Sequence, residues 1–180
     1  MAITSSGTIC LSNVQAEFGG SNPICLSEYY GAASGVPSSG TICLSNFYGK
    51  SAAQTINVTI SSSTTNYNMR TAFVDAGWDG SKVLNGTVTV NSGVTVYSTS
   101  TGSYALQTGS PYPSGSSIAL VNNGTILGKG GNAGAGGAGT TGYNGSGGGP
   151  AFYAASATTV TNNGRIAGGG GGAGGGGAGY

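Results

Sequence analysis

The side chains best suited to chemistry in this sequence are three cysteines and four carboxylates, and the chain has no histidine. The cysteines lie fifteen or more residues apart, which matches no zinc-ligand spacing. Asp75 and Asp79 are close, but a paired-carboxylate glycosidase needs both groups at a defined separation in one cleft. We interpret them as a helix end and a turn. Because acid–base catalysis also lacks its commonest residue, we predict no catalytic residue, no metal site and no cofactor, and expect that the protein is not an enzyme.

The charge and composition exclude further classes. Five Lys and Arg stand against four Asp and Glu, for a net charge of +1, and a nucleic-acid partner needs clustered basic side chains. No apolar run approaches the ~18 residues of a membrane helix, so membrane insertion is not expected. The first residues lack the basic segment and apolar core of a signal peptide, so we expect synthesis in the cytoplasm. Glycine supplies 38 of 180 residues, and short Val and Ile runs among Thr, Ser and Asn favour an all-β fold.

A short unit, Ile-Cys-Leu-Ser, recurs three times in the first fifty residues, at 9–12, 24–27 and 42–45. In each unit we expect a short strand with Ile and Leu on one face and the cysteine on the other. The serine is then expected to cap one helical turn. In the first unit, the serine and the glutamine three residues later have the spacing of a capping box. Residues 1–50 are therefore predicted as a segment of repeated strand–turn units.

Residues 51–121 are predicted as a small β-domain with one helix. Apolar and polar residues alternate at 56–60, as in a half-buried strand. The one plausible full helix covers 66–76 and ends before a glycine. Val-rich runs at 87–90 and 94–96, separated by Asn-Ser-Gly, predict a β-hairpin. Two further short strands are expected, at 116–121 and 125–127.

The last third of the chain, residues 122–180, contains a duplication and most of the glycine. Residues 122–139 and 162–179, at an offset of 40, are identical at 13 of 18 positions. In the first copy the non-glycine residues recur mainly at every third position from Lys129, which is the period of a polyproline II helix. We therefore predict polyglycine-II-like strands that hydrogen-bond laterally. Because ordering glycine costs much backbone entropy, we expect several chains to associate and supply the strands.

Three segments, 57–80, 121–131 and 161–171, resemble tail-associated proteins of tailed bacteriophages. The Ile-Cys-Leu-Ser units are similar to the Ile-Ser-Leu-Ser repeats that often precede such regions. The glycine tracts resemble the polyglycine II lattice of certain phage fibre-tip adhesins, in which loops between the glycine helices contact the host receptor. The resemblance covers nearly the whole chain.

This resemblance implies a structural protein of the virion tail, in a tail fibre or tail tip, that forms a homotrimer. Residues 1–50 would dock on other virion tail proteins, and residues 122–180 would be displayed towards a host cell-surface receptor. Two alternatives stay open. One is a purely architectural collar, tail or decoration protein without receptor contact. The other is a polysaccharide- or ice-binding protein that uses the threonines Thr87, Thr89 and Thr95 as a flat row.

The phage repeats usually have serine where this chain has Cys10, Cys25 and Cys43. An odd number of cysteines cannot all pair within one chain. In one interpretation they are small buried hydrophobes that stay reduced. In the other they form inter-chain disulfides, between subunits or with neighbouring virion proteins, after the particle leaves the reducing cytoplasm.

A receptor surface on this chain is expected at 140–153, between the glycine tracts, and at the C-terminus. Tyrosine offers a large contact area at low entropy cost and suits sugar or protein surfaces. The candidate contact residues are Tyr143, Asn144, Phe152, Tyr153 and Tyr180. The alternative, in which the tyrosines pack over the glycine backbone of their own subunit, stays open.

Overall fold

The computed structural model describes residues 2–137 and 141–177, and the chain divides into two compact units. The first, called here the helical unit, consists of Met1–Thr55, Trp78–Asn85 and Tyr112–Ser116. The second, called the strand unit, consists of Ile56–Gly77, Gly86–Pro111 and Ser117–Tyr180. No helix within the described ranges is long and apolar enough to cross a membrane.

The repeated Ile-Cys-Leu-Ser units form helical turns rather than the predicted strands. The first unit begins helix α1 (Leu11–Phe18), and the others begin short 3-10 helices at Leu26–Tyr29 and Leu44–Phe47. The cysteine, not the serine, is the residue before each helix. The backbone N–H of Cys10 donates to the side-chain oxygen of Asn13 at 2.9 Å, and Cys43 makes the equivalent bond at 2.8 Å. The strand prediction was wrong because these bonds favour a helix start directly after the single extended cysteine.

The core of the helical unit takes one large side chain from each helical turn. Val14, Tyr29 and Phe47 are buried, together with Ile3 and Val36. The rings of Tyr29 and Phe47 meet edge to face with their centroids 6.0 Å apart. The repeat therefore serves to place one apolar anchor after each cysteine.

Trp78 anchors the remaining part of the helical unit. It is 2% exposed and stacks on Tyr112 at a centroid distance of 5.4 Å. Its indole N–H donates to the carbonyl oxygen of Lys82 at 2.9 Å. Asp79 forms the expected turn, since one carboxylate oxygen accepts from the backbone N–H groups of Ser81 and Lys82, each at 2.8 Å.

In the part of the chain that the structure describes, eleven strands build three sheets, which we call A, B and C. In chain order they are β1 (Gln54–Ile60), β2 (Thr64–Thr65), β3 (Tyr67–Asn68), β4 (Leu84–Val90), β5 (Thr95–Tyr97), β6 (Leu106–Gln107), β7 (Ser117–Asn122), β8 (Thr125–Leu127), β9 (Phe152–Tyr153), β10 (Thr159–Asn162) and β11 (Arg165–Ala167). Sheet A has the order β1-β4-β7-β10, sheet B has β11-β8-β5-β2, and sheet C has β3-β6-β9. Consecutive strands therefore enter consecutive sheets, and the chain coils as a short β-solenoid with one strand per sheet in each coil.

The predicted β-hairpin does not form. β4 lies in sheet A, whereas β5 lies in sheet B and pairs in parallel with β2 and β8. Residues 91–93 make a tight corner, with the N–H of Val94 bonded to the carbonyl oxygen of Asn91 at 3.2 Å. Because β5 enters a second sheet, Thr95 is not in the same sheet as Thr87 and Thr89, and the predicted flat threonine row does not form.

Other predicted elements are confirmed. β1 buries Ile56 and Ile60 and exposes the polar residues between them, and β7 and β8 lie where short strands were expected. The predicted helix is α2 (Met69–Asp75), which buries Met69 and Phe73. It begins later than predicted because Tyr67 and Asn68 pair with β6 in sheet C. Asn68 then caps the helix, accepting from the N–H of Arg70 at 3.0 Å.

The duplicated sequence forms two consecutive coils. The Cα partners of β10 and β7 include Asn162 and Asn122, so the register of the sheet equals the sequence offset. The side chain of Asn122, which is fully buried, donates to Asn162 at 2.7 Å, and Asn163 donates to Asn123 at 3.0 Å. The boundary drawn at residue 121 falls inside β7, and the strands on both sides of it share one sheet.

Candidate binding surface

The connection between sheets B and C lengthens from one coil to the next. Between β2 and β3 it is Asn66 alone; between β5 and β6 it is residues 98–105; between β8 and β9 it is residues 128–151. The last connection carries two extended glycine-rich segments, and a third follows β11. We call residues 128–137, 141–149 and 168–177 the first, second and third glycine segments.

The three glycine segments are joined by backbone hydrogen bonds at every third residue. Gly131 of the first segment donates to Gly170 of the third at 2.8 Å, and Gly172 of the third donates to Ser146 of the second at 2.8 Å. Ser146 in turn donates to Asn132 of the first segment at 2.9 Å. Each segment therefore bonds to both of the others. The second segment supplies, from the same chain, a lateral partner of the kind that the sequence analysis expected from other chains.

The glycine positions follow from the close approach of these backbones. A Cβ on Gly134 would overlap the carbonyl oxygen of Tyr143 and lie 2.7 Å from its carbonyl carbon. Real Cβ atoms essentially never come within 3.0 Å of a heavy atom outside their own residue and its two chain neighbours. The same obstruction recurs every third residue, at Gly128, Gly131, Gly134 and Gly137, at Gly142, Gly145 and Gly148, and at Gly169, Gly172 and Gly175. By contrast, a Cβ on Gly136 would meet nothing closer than 3.5 Å. The three-residue period is thus a packing requirement.

Tyr143 and Asn144 lie on the second glycine segment and are exposed. The backbone of Tyr143 is held on both sides, since its N–H donates to Ala135 at 3.2 Å and its carbonyl oxygen accepts from Gly175 at 2.8 Å. Its side chain is nevertheless 66% exposed. The result is a fixed backbone that presents a large amphipathic side chain to solvent.

Phe152 and Tyr153 form β9 in sheet C, which follows the end of the second glycine segment. Tyr153 is 44% exposed and stacks on Tyr104, with ring centroids 4.5 Å apart and planes 13° apart. Tyr143 and Gly149 are six positions apart in the extended second segment, which is roughly 19 Å at ~3.1 Å per residue. The predicted contact residues therefore make two patches rather than one. Tyr143 and Asn144 form the first patch, and Phe152 and Tyr153 form the second. Tyr180 lies outside the described residues.

Tyr104 is a member of the second patch that the candidate list missed. It follows a loop, residues 98–103, in which the buried Ser98 hydroxyl lies 2.6 Å from the carbonyl oxygen of Ser100. A Cβ on Gly149 would lie 2.7 Å from the Cα of Thr101, so this loop packs directly on the end of the second glycine segment. The sequence signal for Tyr104 was its position among turn residues. Its stacking on Tyr153 could not be predicted, because it depends on the register between coils.

The charges of the last third are all positive. Residues 122–180 contain Lys129 and Arg165 and no Asp or Glu. Both cationic side chains are exposed. A ligand that meets this part of the chain therefore encounters tyrosine, amide and cationic groups but no carboxylate.

All three cysteines are exposed free thiols, so they are not the buried hydrophobes of the first interpretation. The sulfur of Cys10 lies 2.9 Å from the hydroxyl of Ser12, and this hydrogen bond lowers the pKa of the Cys10 thiol. No group of three His, Cys, Asp or Glu side chains within the described ranges is arranged to hold a metal ion.

A family model described as "Phage tail fibre adhesin Gp38" matches residues 55–180. No curated protein matches the chain. No solved structure matches it either.

Proposed function

This chain belongs to the phage tail fibre adhesin Gp38 family, and we propose that its glycine segments form a polyglycine II bundle that holds the receptor-contacting side chains. The family membership makes the protein a structural component of the phage tail fibre that takes part in host attachment. It places the chain in the virion tail, in association with other tail components and a host receptor. The bundle, the contact residues, the homotrimer and the absence of enzymatic activity are parts of the proposal.

The polyglycine II assignment is supported by three properties of the glycine segments. Their lateral hydrogen bonds recur every third residue, as a helix with three residues per turn requires. No described glycine in these segments has a positive φ. Their facing positions admit no Cβ. The facing positions of such a bundle carry no side chains and its backbone is already ordered, so residues placed on it lose little backbone entropy on binding.

The observation that carries the contact assignment is the combination of backbone fixation and exposure at Tyr143. An exposed tyrosine with two hydrogen-bonded backbone groups is a pre-organised anchor of the type that dominates binding interfaces. Asn144 supplies an adjacent amide. The second patch, Tyr153 stacked on Tyr104, offers a broad aromatic surface with the half-buried Phe152 beside it.

Adsorption of phage particles to host cells tests this assignment. Particles carrying Tyr143→Ala or Tyr153→Ala should adsorb at least tenfold more slowly than the parent. Tyr97→Ala is the matched control, because Tyr97 is 45% exposed but lies on β5, outside both patches. Unchanged adsorption in the first two variants would remove these tyrosines from the receptor surface.

We propose that residues 1–50 dock the chain on other tail proteins and that Cys10, Cys25 and Cys43 form inter-chain disulfides there. Their exposure makes them accessible, and the lowered pKa of Cys10 increases its thiolate fraction, which is the reactive form. Non-reducing electrophoresis of intact virions should give cross-linked bands that collapse on reduction. A monomer band alone would reject the cross-links.

The homotrimer is tested separately, by the mass of the purified full chain in light scattering. A trimer has three times the chain mass of 17.3 kDa. Because the lateral bonds of the glycine segments close within one chain, a single-chain mass would contradict the trimer without contradicting the bundle.

A further inference from the structure

A cavity of about 660 Å³ opens beside helix α2 in the strand unit. Its lining residues are Val58, Thr65, Asn66, Tyr67, Asn68, Thr71, Ala72, Asp75 and Ala76. They come from β1, from the corner between sheets B and C in the first coil, and from one face of α2. The volume is in the range of small-ligand sites, which span about 300–1,000 Å³. We propose that this groove binds a neutral saccharide of the host cell surface.

The shape of the groove is fixed by its two asparagines. The side chain of Asn66 donates to the hydroxyl of Thr99 at 2.7 Å and accepts from the backbone N–H of Thr99 at 3.2 Å. Asn66 has a φ of 48°, a left-handed conformation that asparagine tolerates. Asn68 caps α2 through Arg70 and Thr71. Both side-chain oxygens thus accept hydrogen bonds from the backbone of this chain, and these bonds fix the corner and the start of the helix.

Three other polar groups of the groove are not used by the fold in this way. Within the described ranges, the hydroxyls of Tyr67 and Thr71 and the carboxylate of Asp75 form no hydrogen bond. Burial, reinforced by the negative charge of Asp75, raises the pKa of Tyr67, so its hydroxyl stays protonated at neutral pH. The groove therefore offers one carboxylate acceptor and two hydroxyls that both donate and accept.

The remaining lining groups favour the C–H face of a sugar. Val58, Ala72 and Ala76 supply apolar surface, and Tyr67 adds an aromatic ring that is half-buried. Among the described residues, no Lys or Arg lines the groove. With a carboxylate and no cation, the site disfavours phosphate and acidic sugars and suits a neutral ligand that donates hydroxyl protons to Asp75.

This inference goes beyond the contact patches at Tyr143 and Tyr153 and rests only on host attachment. The groove would give the fibre a second binding site, for the saccharides that surround a receptor. With two sites on one chain, binding at one site raises the effective concentration of ligand at the other site.

Saturation-transfer NMR and calorimetry on the purified full chain test the groove. The probes are maltose, lactose and di-N-acetylchitobiose, with inorganic phosphate as the charged comparison. We expect at least one disaccharide to bind and phosphate not to bind. Asp75→Asn should weaken disaccharide binding about tenfold, which is about 1.4 kcal/mol, and Ala72→Phe, which fills the groove, should abolish it.

Glu28→Gln is the matched control, since it removes the same charge from an exposed carboxylate in the helical unit and should leave binding unchanged. Circular dichroism verifies that each variant is folded. The inference fails if none of the disaccharides binds, or if Asp75→Asn and Ala72→Phe bind as the parent does. If Tyr143→Ala rather than Asp75→Asn removes the saccharide signal, the sugar binds at the contact patch, and the proposed function stands without the groove.

Discussion

The contrast between Gly134 and Gly136 offers a direct test of the bundle, because both lie in the first glycine segment two residues apart. A Cβ on Gly134 would overlap the carbonyl group of Tyr143, whereas a Cβ on Gly136 would make an ordinary contact at 3.5 Å. Gly134→Ala must therefore displace the Tyr143 peptide. That movement breaks the bond from Tyr143 to Ala135 and the bond from Gly175 to Tyr143.

The expected cost follows from those two bonds. At about 1 kcal/mol each, Gly134→Ala should destabilise the bundle by about 2 kcal/mol, which is roughly 30-fold in its opening equilibrium. Gly136→Ala fits without overlap and reduces the entropy of the open chain, so it should be neutral or stabilise by about 0.4–1 kcal/mol. The two substitutions add the same methyl group with opposite expected effects.

Limited chymotrypsin digestion reports this equilibrium at the affected site, because cleavage after Tyr143 requires the second glycine segment to leave the bundle. Gly134→Ala should speed that cleavage about 30-fold, and Gly136→Ala should not. Cleavage after Tyr97, on β5, is the internal reference and should not change in either variant. Equal cleavage rates after Tyr143 in the two variants would refute the reasoning, since they would mean that the facing positions are not packed.

Three further predictions concern the supporting structure. Asn68→Ala removes the cap of α2 and should lower the unfolding free energy by about 1 kcal/mol in urea denaturation, whereas Asn144→Ala, on an exposed site, should leave it unchanged. Asn122→Ala leaves the buried N–H of Gly124 without its acceptor and should cost about 1–3 kcal/mol in the same assay; no loss would contradict the hydrogen bond from Gly124 to Asn122. The backbone hydrogen bond from Lys82, and after it the one from Ser81, lowers the pKa of Asp79 in the folded state. The ionised Asp79 carboxylate therefore stabilises the fold at a pH above its unfolded pKa. This stabilisation is lost as the pH falls through the lower pKa of the folded state. Thermal melts below about pH 4 should therefore show a loss that Asp79→Asn reduces, and identical pH profiles would contradict this.

Local sequence patterns predicted the elements whose partners are nearby or repeated. The polar start of the segment 66–76 and the glycine that follows it indicated α2, because the start and stop signals of a helix are contiguous with it in sequence. The offset of 40 between the Asn-Asn-Gly copies anticipated a repeated unit, and the same offset appears as the strand register. The period of three in the glycine tract anticipated its lateral bonds.

The errors arose where the partner is distant in the chain. An apolar run, an Asn-Ser-Gly turn and a second run fit a hairpin and a solenoid corner equally well, and only the pairing of β5 with β2 and β8 distinguishes them. Residues 141–149 were not predicted as a strand, because their partners lie in two other segments. The tyrosine pair Tyr104 and Tyr153 likewise depends on the register between coils.

Amide hydrogen exchange by NMR on the full chain, at a concentration where it is a single species, tests the bundle most directly. The donor amides Gly131, Gly134 and Gly172 should exchange slowly, while Gly130 and Gly170, which donate no bond among the described residues, should exchange at the rate of an open chain. Slow exchange at every third residue is the result that the account predicts. Fast exchange at all five amides would contradict it.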